Sequence, residues 1–188
     1  MSWRRRPARI RWSFGASWLA KQPRLLNVLN VVAEKAGWGT PLPAGRFRGV
    51  AVVNNLGSYN AQVAEVSVTG GKIKVHRVVC AVDCGVVVNP AIVTQQIEGG
   101  IVYGLGPALK QAITLERGRV VQTNFNSYDP TRIDEMPVVE VHIVPSTAAP
   151  GGIGEASTPP IAAAVLNAVY AATKKRVRML PAKAADLA

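Results

Sequence analysis

Glu155 closes the run Gly151-Gly152-Ile153-Gly154 and stands just ahead of a helix start at Ser157 to Pro160. Loop amides and a helix N-terminus both favour negative charge there, whether it is the carboxylate itself or a bound anion. Two roles stay open for the residue. It is either a first-turn acid that complements the helix dipole or a carboxylate held on a backbone that permits close approach. A second constellation follows Asn89, where Gln96, Gly99, Gly100 and Gly104 fall near one another at helical spacing, with Gly106 beyond them. Each interior glycine costs about 0.5–1 kcal/mol relative to alanine, so something must offset them. Either this side admits a ligand, with the Gln96 amide offering donors and an acceptor, or it packs tightly on a neighbouring strand.

Other arrangements carry less chemistry. Cys80 and Cys84 follow His76 and superficially suggest a metal site, but structural zinc needs about four ligands at characteristic spacings, and His142 is the only other histidine. Buried thiols are the expectation, with no metal ligands assigned. Gly104-Leu105-Gly106 lacks the rest of a dinucleotide fingerprint, and no Gly-Lys-Ser/Thr phosphate loop is present. Ser127 and Ser157 have no nucleophile-elbow context.

The elements that must position these residues are legible from periodicity. Apolar residues from Leu25 to Ala33 predict a helix over Pro23 to Gly37, and a Pro/Gly linker, Gly39 to Gly45, follows it. The period then changes to two. Gly49 to Asn54 and Tyr59 to Val68 read as strands, with Ala64, Val66 and Val68 alternating with Glu65 and Ser67 as in a half-buried strand. Gly70-Gly71 suits the positive dihedrals of a hairpin turn, beyond which a strand runs from Ile73 into the continuous apolar stretch Val78 to Val82. Asn89-Pro90 starts a helix reaching about Lys110, striped by Val93, Ile97, Ile101, Leu105 and Leu109. A second hairpin turns near Arg117-Gly118, Val139 to Ile143 forms another strand, and an Ala-rich helix runs from near Pro159 to about Lys174. The fold class expected is α+β, antiparallel strands packed with two long helices.

The chain has 188 residues, 48% hydrophobic and 18% charged, an ordinary globular balance. No apolar run is long enough for a membrane-spanning helix. The net charge of +11 is concentrated at one end: residues 1–48 carry +9 and the remainder +2. Residues 1–20 are therefore read as a basic, solvated segment and 21–188 as the domain, with no nucleic-acid partner expected. Ser13 to Ala20, behind the arginines, is too short and too interrupted by Trp and Gly for an export signal, which leaves cytoplasm and periplasm both open.

Taken in order, Val82-Asp83-Cys84-Gly85, Val88-Asn89-Pro90, Gln96-Ile97-Glu98-Gly99-Gly100, Arg132-Ile133-Asp134-Glu135-Met136-Pro137 and Gly151-Gly152-Ile153-Gly154-Glu155 resemble a known succession. It is that of the C-terminal, molybdopterin-binding part of molybdenum hydroxylase large subunits, the xanthine dehydrogenase and aldehyde oxidase type. Within that family the sequence is most similar to isoquinoline 1-oxidoreductase beta subunits, over roughly residues 23 to 181. The resemblance implies hydroxylation of an electron-poor carbon in an N-heterocycle, or aldehyde oxidation, with water as the oxygen source. It implies Glu155 as general base and Gln96, Gly99, Gly100 and Gly154 as cofactor contacts. The cofactor implied is molybdenum-molybdopterin, in its cytosine dinucleotide form. A small partner subunit would carry two [2Fe-2S] clusters, since two cysteines cannot ligate even one four-cysteine cluster. Family subunits are much longer, so the expectation is a truncated domain, inactive alone, that needs the upstream half to bind cofactor and substrate. Val86 departs from the basic residue expected there, and residues 1 to about 20 do not resemble the family. The alternative is a non-catalytic interaction module derived from this domain.

Overall fold

Residues 19–187 are described by a computed structural model of the chain, so the basic segment lies outside the described residues through position 18. Helix α1 spans Pro23–Lys35, opened by Pro23 and followed by Gly37 at φ +61°, a left-handed conformation that glycine adopts without strain. Strands β1 (Phe47–Asn55), β2 (Ser58–Thr69) and β3 (Lys72–Asp83) form an antiparallel meander, with Gly70 and Gly71 supplying the positive dihedrals of the β2–β3 turn. Helix α2 covers Pro90–Leu109, a small hairpin β4 (Leu115–Glu116) and β5 (Arg119–Val120) follows, and β6 (Val138–Ile143) returns to the main sheet. Helix α3, Thr158–Thr173, completes the domain.

The sheet order is β1-β2-β3-β6, and it is mixed rather than antiparallel, because β6 pairs parallel with β3. The reason is the connection: a strand reached through a crossover containing a long helix re-enters in the direction of the strand it left. Among the described residues there are also three α-helices, one on the far face. α1 packs on β2 and β3, burying Leu25, Val28, Leu29 and Val32 against Ala61, Val63, Val79 and Ala81. On the opposite face α3 lies on β1 and β2, while α2 lies beside it, and Ile97, Ile101, Leu105, Ile161 and Val165 fill the second core. α3 approaches β1 so closely at Gly49 that a β-carbon there would meet the helix backbone at Ala164 and Ala168.

Strand β2 is consequently covered on both faces rather than half-buried. Glu65, expected on a solvated face, is buried and held by Arg48 at 3.0 Å and Arg77 at 3.1 Å. A register shift between Glu65 and Val66 leaves His76 without an opposite residue on β2, and its Nε2 lies 2.8 Å from Ser67 Oγ. An extra residue reverses side-chain parity, which is how Val75 and Val78 both reach the same core.

Candidate active site

The segment bearing Glu155 is held at both ends. Upstream, residues after β6 run beside the end of β3, through Val144 N to Val82 O at 2.8 Å, Val86 N to Ala148 O at 3.0 Å and Gly151 N to Cys84 O at 2.9 Å. Gly85 adopts φ +76°, and a β-carbon there would collide with the carbonyls of Ala148 and Ala149. Gly152 N then donates to Leu56 O at 2.8 Å, seating the loop on the β1–β2 turn. Downstream, Ser157 is fully buried: its Oγ donates to the Ile97 carbonyl of α2 at 2.9 Å, and its own carbonyl accepts from Gln62 Nε2 at 2.8 Å. Thr158 Oγ1 donates to Gly100 O at 3.2 Å. The N-terminus of α3 is thus pinned to α2 and β2 with no acidic cap, which leaves the Glu155 side chain out of that role.

Glu155 is exposed, as is Gln96, and the two share one surface: Gln96 Nε2 donates to Gly154 O at 3.3 Å. Asn89 caps α2 as its sequence signature indicates, accepting from Ala91 N at 3.0 Å and Ile92 N at 3.3 Å. The glycines of α2 divide into two groups. Gly100 faces Ser157, Gly104 faces Ile161 and the Thr158 carbonyl, and Gly106 faces Gln111, so each is packed, the first two against a helix rather than the strand expected. Gly99 faces open space, and Gly154 has only the end of the Gln96 side chain near it. Ile92, Gln96, Gly99 and Tyr103 recur at spacings of four, three and four, which places them on one face of α2. Ile92 is 55% and Tyr103 75% exposed, and Val88 just before the helix is 94% exposed.

Other charged groups support this frame. Asp83 takes two bonds from Arg24, at 2.7 and 2.6 Å, and one from Gly85 N at 3.1 Å, and the Arg24 guanidinium also lies over the Tyr59 ring. Arg24 holds the Asp83 carboxyl below the usual carboxylate range. Glu135 is likewise held low, by Lys110 at the end of α2. Cys80 and Cys84 are free and buried, and burial pushes the Cys80 thiol up to about 12. Among the described residues no three His, Cys, Asp or Glu side chains gather as metal ligands, and no helix is long and apolar enough to cross a membrane. A cleft of about 410 Å³ lies between β3, the end of α2 and Thr131 to Met136, and a second adjoins Arg24 and Asp83; neither is lined by Gln96 or Glu155.

Residues 30–137 match the description of a molybdopterin cofactor-binding domain, more than half of the chain. The chain belongs to that family. The matched residues of this molybdopterin-binding domain include Gln96, Gly99 and Gly100, while Gly154 and Glu155 lie beyond them. It is 32% identical to the isoquinoline 1-oxidoreductase subunit beta of Brevundimonas diminuta over 177 residues, 92% of this chain and 23% of that protein. It is also 32% identical to a membrane-bound aldehyde dehydrogenase [pyrroloquinoline-quinone] of Gluconacetobacter polyoxogenes over 171 residues, 87% of this chain and 22% of that one. The aldehyde oxidoreductase of Desulfovibrio desulfuricans ATCC 27774 superposes with a TM-score of 0.60 at 28% identity, over 69% of this chain and 15% of its own. The molybdopterin-binding domain is thus of the molybdenum hydroxylase type, and the chain spans about a fifth of the length of these curated relatives.

Sequence reasoning identified the strand and helix ends that carry the candidate site but missed four participants. Gln62 and Ser157 form the buried clamp under the loop, and the apolar residues Ile92 and Tyr103 flank Gln96. The signal for Gln62 was strand parity, since Ser58, Asn60 and Gln62 continue the core-facing row of Ala64 and Val66.

Proposed function

We propose that this domain forms one wall of the cofactor and substrate site of a molybdenum hydroxylase, with Glu155 as general base. The observation that carries the reading is Gly99. Glycine inside a helix costs about 0.5–1 kcal/mol, and at this position no packing within the described residues offsets it. A flat group approaching the α2 backbone beside Gln96 supplies the missing reason, and the open side of Gly154 continues the same cradle.

A molybdenum-pterin group, when bound, supplies the two-electron acceptor and the activation of water. The chain's own residues do the rest. Gln96 offers its amide to the group, since its carbonyl oxygen is uncommitted within the described residues. Gly99 and Gly154 admit it to backbone distance, and Gly100 contributes by letting α3 dock on α2 beneath them. The Glu155 carboxylate, exposed and without a partner among the described residues, accepts a proton at one oxygen and passes it to solvent. Water as oxygen donor, the cytosine dinucleotide form of the cofactor, a small [2Fe-2S] subunit and the remainder of a longer large subunit complete this reading. An N-heterocycle or an aldehyde is the substrate class.

Exposure of Glu155 outside either cleft favours the second reading, a non-catalytic interaction module. Molybdenum and pterin analysis of the chain purified with its complementary large-subunit portion separates the two, background metal favouring the module. In the loaded enzyme Glu155→Gln keeps metal content and lowers turnover about 100- to 10,000-fold. Near-normal turnover removes Glu155 from the role.

A further inference from the structure

Strand β2 carries a polar row where a core strand ordinarily carries aliphatic side chains. Ser58, Asn60 and Gln62 are all fully buried and share the face of Ala64 and Val66. Gln62 Nε2 reaches the Ser157 carbonyl across 95 residues of sequence, a bond buried at both ends. Its Oε1, by contrast, has no hydrogen-bond partner among the described residues. An unpaired buried acceptor costs about as much as the other half of the amide contributes, so the side chain adds little net stability. Its physical effect is a constraint on Ser157.

Ser157 is the downstream anchor of the segment that carries Glu155, whose upstream anchors are the Gly151 and Gly152 amides on Cys84 and Leu56. The Ser157 Oγ bond ends on Ile97, the residue after Gln96. Gln62 holds the same residue from the sheet side, so Ser157 is gripped from α2 and β2 at once. We propose that Gln62 is a positioning residue whose buried bond to the Ser157 carbonyl fixes the turn carrying Glu155 relative to Gln96. This rests on the reading of Glu155 and Gln96 as base and cofactor contact. Without the bond, Ser157 keeps its side-chain tether to α2 and the turn rocks about it.

Hydrogen exchange on the full chain, without cofactor, tests the clamp independently of catalysis. The reporter is the Thr158 amide, which donates to Glu155 O at 3.1 Å. Methionine matches glutamine in length and removes both the donor and the orphaned acceptor. In Gln62→Met the Thr158 amide exchanges about tenfold faster, while amides of α1 and of the β2–β3 ladder keep their rates. Gln62→Glu is the rescue variant. Its carboxylic acid donates to Ser157 O, but the carboxylate does not, so Thr158 protection is retained at low pH and lost as the buried acid ionises, above the usual carboxylate range. Unchanged Thr158 protection in Gln62→Met overturns the proposal, and so does acceleration spread evenly over α1, β2 and β3. If the clamp behaves as stated but Glu155→Gln keeps normal turnover, the base assignment fails and the clamp stands. The reverse pair of results removes Gln62 alone.

Discussion

Gly99 and Gly104 lie on the same helix and differ in what faces them, open space for one and α3 for the other. Alanine at Gly99 therefore gains helix propensity without a clash and raises stability by about 0.5–1 kcal/mol. Alanine at Gly104 forces α2 from Ile161 and the Thr158 carbonyl and lowers stability by about 1–3 kcal/mol. Thermal denaturation of the two variants checks both signs, and a Gly99→Ala chain that is more stable yet retains less pterin ties that position to the cofactor. The sequence shows that the glycines cluster but not which of them are packed, because that depends on where α3 lands, a contact between residues 58 positions apart in the case of Thr158 and Gly100. Glu155 was singled out as a candidate through the order of motifs around it. Its lack of an ion pair among the described residues was not legible, since charge partners come from elements distant in sequence.

At the scale of elements, the Arg24–Asp83 pair joins the first turn of α1 to the last residue of β3. The Asp83 carboxyl is held below its ordinary value chiefly by the Arg24 hydrogen bond, so its stabilisation is present above the unfolded value near 3.9 and is lost as pH falls through the lower folded one. Arg24→Met accordingly destabilises the chain by about 1.5 kcal/mol at pH 7, in keeping with a charged hydrogen bond whose arginine is partly exposed. The difference from wild type narrows toward pH 3, where Asp83 takes up a proton in the variant before it does in the parent. Urea unfolding at the two pH values measures it. Helix and strand positions were readable because period and end signals agree, as at Asn89-Pro90 and Gly70-Gly71. Direction was harder. Nothing local in Val138–Ile143 distinguishes parallel from antiparallel pairing, and the parity reversal at His76 is a property of the ladder rather than of either strand.

For the molecule as a whole, the face of α2 bearing Ile92 and Tyr103 around Gln96, with Val88 beside it, presents large apolar side chains that no described residue covers. Isolated chains are expected to associate through it. Ile92→Ser combined with Tyr103→Ser shifts the population toward monomer in analytical ultracentrifugation, and an unchanged distribution excludes this face as the contact. The loop from Gly151 to Ser157 extends the same point to assembly of the fold. Its moorings come from the β1–β2 turn, the end of β3, the interior of β2 and the middle of α2, all reached across long stretches of chain. Closing such distant contacts is slow, because each must overcome loop entropy before it returns any energy. The carboxylate can be presented only after the sheet and both helices on that face are in place. On the proposed role of Glu155, a half-formed chain is thereby chemically silent, and reactivity becomes a readout of finished folding.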